Sequence, residues 1–145
     1  MPTRIASGGT DGATVRACID GLTAYSVAHG DARPHSDVVL SVFREGEGTP
    51  VGGLVGWVAF GWLFVRLFFL PEDLRRQGLG AELLRRAESE ARARGCIGVH
   101  LDTFSFQARG FYEKQGYALF GTLPECPPGH ARHFLAKRLD APPPA

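Results

Sequence analysis

Apolar residues recur along this chain with two different periods. Val15, Cys18, Ile19, Leu22 and Tyr25 are spaced three and four apart, which predicts an amphipathic helix over residues 11–29, with Thr10 or Asp11 as its cap. Residues 38–44, 51–60 and 62–70 are rich in Val, Leu, Trp and Phe, which suit strands. Phe60-Gly61 reads as the turn between the second and third. Leu79, Leu83, Leu84, Ala87 and Ala91 return to helical spacing, so residues 79–94 form a long helix closed by Gly95. A strand over 96–103, a short helix over 107–115 ended by Gly116, and strands over 117–122 and 133–139 complete the pattern. The strand at 96–103 should run parallel to 62–70 through a right-handed crossover. Helix, three antiparallel strands, helix, strand, helix and two strands make an α/β fold. It is a three-layer α/β/α sandwich with a mixed, mostly antiparallel central sheet.

Composition narrows this picture. With 145 residues the chain is expected to form one domain, residues 1–145, with flexible ends at about 1–12 and 140–145. Val51 to Leu70 is long and apolar enough to be weighed as a membrane span, but Arg66 and four glycines interrupt it, and buried strands are the preferred reading. A formal net charge of +1 and the lack of a long basic run argue against nucleic acid or a membrane surface as partner. Three cysteines without CxxC spacing suggest neither a disulfide framework nor a metal site. Reduced thiols and an N-terminus without the apolar core of a signal peptide point to the cytoplasm.

The candidate chemistry centres on Arg75-Arg76-Gln77-Gly78-Leu79-Gly80-Ala81, between the third strand and the long helix. A glycine turn opening a helix aims several free N–H groups at one spot. No Ser, Thr, Asp or Asn stands at the N-cap, and two arginines lie at the positive end of the dipole, where cations are disfavoured. An external anion such as a pyrophosphate would resolve both, so a nucleotide-like cofactor is expected. A nicotinamide dinucleotide fits poorly, because Leu83 stands where a third glycine should be and no Rossmann first strand precedes.

These motifs resemble the GNAT superfamily of N-acetyltransferases, over roughly residues 11–139 and most closely over 70–116. The family's Q/R-x-x-G-x-G/A loop is matched by Arg75 to Gly80, preceded by Leu70-Pro71-Glu72. A second family run, A-x-x-F-Y-E-K-x-G-Y, is matched by Ala108, Phe111-Tyr112-Glu113-Lys114 and Gly116-Tyr117. The segment Thr103 to Ala108, the Pro-Pro-Gly-His loop and the terminal Lys-Arg-Leu look like one bacterial subgroup.

The resemblance implies acetyl-CoA as co-substrate and direct transfer to the primary amine of a small molecule. It implies that Phe68, Phe69 and Leu70 pair with the pantetheine arm and that Arg75, Arg76, Gln77, Gly78, Leu79, Gly80 and Ala81 hold the pyrophosphate. It also implies that Ala108 and Tyr112 line the cofactor site, with Tyr112 protonating the departing thiolate. Ser105 stands where the family often has Asn, with Gln107 nearby, and either offers a polar contact. The family often places a Glu on the third strand; this strand has only Arg66, so Glu72, His100, Asp102, His130 or a water chain remain as general base. Tyr25 and His130 are the expected acceptor contacts, and a homodimer is one expected assembly. Two other readings compete: an acceptor that is a protein or peptide amine, and a non-catalytic acyl-CoA sensor.

Several residues have plainer readings. His100 alternates with Leu101 on a strand and reads as a core histidine, with Asp102 on the same face. Arg66 is expected in a buried ion pair or in an acceptor wall. Cys18 and Cys96 read as buried packing residues. Glu82/Arg86, Glu88/Arg92 and Glu90/Arg94 are spaced for solvated ion pairs along the long helix.

Overall fold

A computed structural model describes residues 3–8 and 12–140. The expected flexible ends fall partly on residues 1–2, 9–11 and 141–145, and the expected cap at Thr10 or Asp11 falls wholly there, outside the described residues. The chain divides into two compact units, Met1–Pro34 and His35–Ala145, each described by itself.

Among its described residues the first unit contains one helix, α1 (Ala13–His29), with Gly12 in a left-handed conformation at its N-cap and Gly30 donating its N–H to the Ser26 carbonyl at the other end. None of its residues is buried. Cys18, expected to pack inside, is exposed.

The second unit carries the sheet. Its elements are β1 (Ser36–Val42), β2 (Gly52–Ala59), β3 (Trp62–Phe69), a 3-10 turn (Glu72–Leu74), α2 (Leu79–Ala93), β4 (Gly98–Phe104), α3 (Arg109–Lys114), β5 (Ala118–Pro124) and β6 (Ala131–Arg138). The six strands form one mixed sheet in the order β1-β2-β3-β4-β6-β5. All neighbours are antiparallel except β3 and β4, which are parallel. The run from Val51 to Leu70 is thus a hairpin, turned at Phe60 and Gly61 with both residues at positive φ. Among the described residues no helix is long and apolar enough to cross a membrane.

Leu84, Ala87 and Ala91 of α2 pack with Leu54, Leu63, Val65, Val99, Leu101 and Leu135 of the sheet in one apolar core. The α2 stripe faces inward because residues three and four apart share a helix face. Its charged face is mostly solvated, with Glu82–Arg86 and Glu90–Arg94 paired as expected. Glu88 departs from that expectation. It is 4% exposed and bonds to Tyr117 and Lys137 instead of Arg92.

Both α2 and α3 end in the same way. Gly95 (φ 80°) donates to the Arg92 carbonyl and Cys96 to that of Ala91; Gly116 (φ 95°) donates to Glu113 and Tyr117 to Tyr112. These are Schellman closures, which need a left-handed residue after the last turn, and glycine adopts it without a Cβ penalty.

One irregularity positions the site. Val55 of β2 stands opposite Leu67 while Gly56 stands opposite Val65, so Arg66 is an extra residue bulged out of β3. The bulge reverses the alternation of the strand. Leu63 and Val65 are buried before it, and Leu70 is buried after it. Arg66 itself is exposed and, among the described residues, makes no ion pair, which corrects the expectation of a buried pair.

Candidate active site

Pairing between β3 and β4 covers only Trp62↔Gly98 to Val65↔Leu101. Both strands continue, β3 to Phe69 and β4 to Phe104, without bonding to each other. The parting begins at the Arg66 bulge. Among the described residues, the β3 edge facing away from β2 has no strand partner from Arg66 to Phe69, although β2 still pairs on the other side, with Gly53 opposite Phe69. Backbone groups in such an edge need partners, and an extended chain laid in the slot supplies them.

The glycine loop closes one end of this slot. Gly78 (φ 79°) is the N-cap of α2, with no side-chain cap bond. The first bond of the helix runs from the Glu82 N–H to the Gly78 carbonyl. Leu79, Gly80 and Ala81 therefore present N–H groups without intrahelical partners, the arrangement that receives an anion.

Interactions from several directions hold the loop in place. Leu70 is buried with Val42 and Leu83. Arg75 Nε donates to the Leu70 carbonyl at 2.8 Å, and its guanidinium lies 5.7 Å from the Phe69 ring centroid. The Gln77 amide donates to the Asp73 carbonyl. Arg44, just after β1, grips Asp73 with two bonds of 2.7 and 3.0 Å. Those bonds hold the Asp73 carboxyl below its ordinary range. Arg76 is exposed and left-handed (φ 62°). Arg75 is thus occupied in fastening the loop to the end of β3, a use its position in the motif does not reveal.

Gly80 has a packing role. A Cβ there would lie 3.2 Å from the Phe111 ring and 3.7 Å from a Leu70 methyl. A Cβ at Gly78 would meet nothing within 4 Å, so its requirement is conformational. Gly80 thereby lets α2 approach α3, where Phe111 and Tyr112 sit.

Tyr112 is 7% exposed. Its ring centroid lies 6.1 Å from that of Phe68 on β3 and 6.1 Å from that of Tyr117, both edge-on. Burial, helped by the negative charge of Asp102, pushes its hydroxyl up to about 12. Tyr112 therefore holds its proton at neutral pH.

The opposite rim is built by β4 and the segment after it. Thr103 is buried and donates through Oγ1 to Gln107 Oε1, which also accepts the Phe104 N–H at 2.9 Å. Ala108 stands at the N-cap of α3 and its carbonyl accepts the Phe111 N–H. The Ser105 hydroxyl accepts the Ala131 N–H at 3.1 Å and lies 3.3 Å from His130 Nδ1. His130 is exposed and contacts the Phe106 ring edge-on. The Ser105 hydroxyl thus ties β4 to the loop before β6. Asp102, just past the last β4 residue paired with β3, is held by Arg132 through bonds of 3.0 Å to each oxygen. The Arg132 guanidinium sits over the rings of Phe104 and Phe134. His100 contacts the rings of Trp62 and Phe64, and burial lowers its affinity for a proton despite Asp102.

The structure therefore brings Phe68, Phe69, Leu70, the 75–81 loop, Phe111 and Tyr112 to one slot, with Ser105 and Ala108 on its far rim. Tyr25 lies in the first unit, where it is exposed and stacks on His29 at 4.1 Å. The bond set of Thr103, Gln107, Asp102 and Arg132 was not foreseen. Arg132 lies 30 residues from Asp102, and no local spacing marks the pair.

Comparison with known proteins shows the family. The acetyltransferase (GNAT) family profile matches residues 17–117. Blasticidin-S acetyltransferase of Streptomyces morookaense is 44% identical over 111 residues, covering 75% of this chain and 80% of that protein. The crystal structure of an acetyltransferase from Bacillus cereus superposes with a TM-score of 0.82 at 33% identity, covering 94% of this chain and 98% of that one. In fold alone, an aminoglycoside 6'-N-acetyltransferase crystallised with coenzyme A also superposes, with a TM-score of 0.64 at 19% identity, over 74% of this chain and 76% of that one. The family profile, the curated relative and the superposed acetyltransferase together show that the chain belongs to the acetyltransferase (GNAT) family.

Proposed function

We propose that this acetyltransferase moves the acetyl group of acetyl-CoA directly to the amine of a small molecule. The parting of β3 and β4 beside the open N-terminus of α2 carries this reading. The edge of β3 from Arg66 to Phe69 offers backbone groups to the pantetheine arm, and the N–H groups of Leu79, Gly80 and Ala81 offer partners to the pyrophosphate. The 44% likeness to a protein named for blasticidin S supports a small-molecule acceptor, and the neighbour crystallised with coenzyme A supports the co-substrate.

In the reaction, an unprotonated amine attacks the thioester carbonyl, a C–N bond forms and the C–S bond breaks. The thiolate takes a proton from the Tyr112 hydroxyl, and the proton released from the newly bonded nitrogen returns through water to the Tyr112 oxygen, so that the hydroxyl is restored. Proton donation of this kind contributes roughly a hundred- to ten-thousand-fold. Tyr112 suits the role because burial keeps its proton in place. Asp102, anchored by Arg132 at the mouth of the slot, is suited to hold an acceptor ammonium before it loses its proton. His100 is the neutral imidazole on the same face of β4. His130 lies on the far rim as an acceptor contact.

The test is calorimetric titration with acetyl-CoA, followed in the same sample by a thiol-release assay with blasticidin S, aminoglycosides and lysine-bearing peptides. Binding with release on a small amine is expected. Release only on peptides would move the acceptor to proteins. Binding without release on any of these would favour an acyl-CoA sensor.

A further inference from the structure

Glu88 is the charged residue least explained by the reaction above. It sits in the middle of α2, 4% exposed, on the face that packs against the sheet. Its two carboxylate oxygens take different partners. Oε2 accepts the Tyr117 hydroxyl at 2.8 Å, and Oε1 accepts the Lys137 ammonium at 3.0 Å. The ammonium also lies 5.7 Å from the Tyr117 ring centroid. Burying a carboxylate costs several kcal/mol, and apolar residues of similar volume often serve stability as well or better. Stability alone is therefore a weak reason for this trio.

Its geometry suggests another reason. Tyr117 is the residue that closes α3. Its N–H donates to the Tyr112 carbonyl at 3.1 Å, the long bond of the Schellman closure. Its ring meets the Tyr112 ring edge-on at 6.1 Å. Tyr112 in turn meets Phe68 on β3, at the wall of the slot. A tyrosine ring whose hydroxyl is tied at one end cannot slide along its neighbour. Glu88 ties that hydroxyl to α2, the helix whose first turn offers N–H groups to the pyrophosphate, and Lys137 ties the carboxylate to β6.

We infer that Glu88 and Tyr117 are positioning residues for Tyr112, locking its ring against the slot relative to the helix that opens at the glycine loop. This rests on Tyr112 being the proton donor. Neither residue touches substrate. They act by fixing where the Tyr112 hydroxyl points, a placement that catalysis needs to a fraction of an ångström.

The test is a double-mutant cycle on turnover, with acetyl-CoA and blasticidin S or the first amine of the panel that releases thiol. Tyr117→Phe keeps the ring and removes only the tied hydroxyl, so it should fold. It should lower kcat about tenfold and leave the KM for acetyl-CoA within about twofold. In a Tyr112→Phe background the same change should cost less than about twofold, because there is no hydroxyl left to aim. Glu88→Gln, which still accepts the Tyr117 bond, should keep more turnover than Glu88→Ala. An equal loss in both backgrounds, or no loss in either, overturns the positioning role. Unimpaired turnover in Tyr112→Phe alone overturns the donor reading instead. In that event the ¹³C-tyrosine spectrum decides the remaining claim: a shifted Tyr112 ring signal in Tyr117→Phe supports the lock, and an unmoved one overturns it.

Discussion

Tyr112 concentrates the energetics of the proposed reaction in one hydroxyl. Tyr112→Phe removes the proton donor and keeps the packing against Phe68 and Tyr117, so kcat should fall at least about a hundredfold while the acetyl-CoA dissociation constant changes little. Steady-state turnover and calorimetry on one preparation would separate the two. Because burial pushes this hydroxyl up to about 12, turnover should show no falling limb from Tyr112 up to about pH 10. A descending limb near neutrality that vanishes in Tyr112→Phe would contradict that. His100 gives a second pH prediction. Burial depresses its folded pKa below the ordinary 6.5, so the unfolded chain takes up a proton first as pH falls. Its contribution to stability is intact above about 6.5 and is lost as pH falls from there toward the depressed folded value. Thermal unfolding of the wild type should weaken in that window, and His100→Phe should weaken less.

At the level of elements, the two glycines of the loop make separable predictions. Gly78 is left-handed with open space around it, so Gly78→Ala should cost about 1–2 kcal/mol of stability through backbone strain alone. Gly78→Asn should recover part of that, since Asn tolerates the conformation. Gly80→Val would drive a branched side chain into Phe111 and Leu70. It should both lower the melting temperature and weaken acetyl-CoA binding, because it pushes α2 away from the helix that carries Tyr112. Denaturation and calorimetry on the three variants would show whether strain and packing divide in this way. The sequence made the loop and both helix ends legible because glycine at fixed offsets has few other uses. The bulge at Arg66 was not legible. The sequence marks Arg66 only as a charge in a run apolar on both faces, and the register of β2 is what exposes it as an inserted residue.

For the molecule as a whole, acetyl-CoA should stabilise the folded protein by mass action, by about 2.7 kcal/mol at a hundred times its dissociation constant. Melting temperature should then climb with ligand concentration by several degrees. A flat response in differential scanning calorimetry would remove the co-substrate from the proposal. The mixed sheet flanked by helices followed from alternating periods, and so did the parallel β3–β4 pair. Strand order at the far side did not. β5 and β6 look like a simple hairpin in sequence, yet β6 inserts between β4 and β5, because its inner residue Leu135 completes the core with Leu101. Glu88 was equally hidden: its spacing to Arg92 fits a surface pair, and its actual partners lie 29 and 49 residues away. The insertion also has a consequence for biogenesis. Among the described residues β5 pairs only with β6, and β4 reaches β5 only through it. As the chain emerges from the ribosome, everything up to Pro124 can be made while one flank of the sheet is still unzipped. That leaves β4 with a bare edge open to a wrong partner until β6 is translated and slots home. The nascent protein should therefore be most prone to aggregate after β5 is made and before β6 is complete, and a chain cut before Ala131 should aggregate more readily than one cut after Arg138.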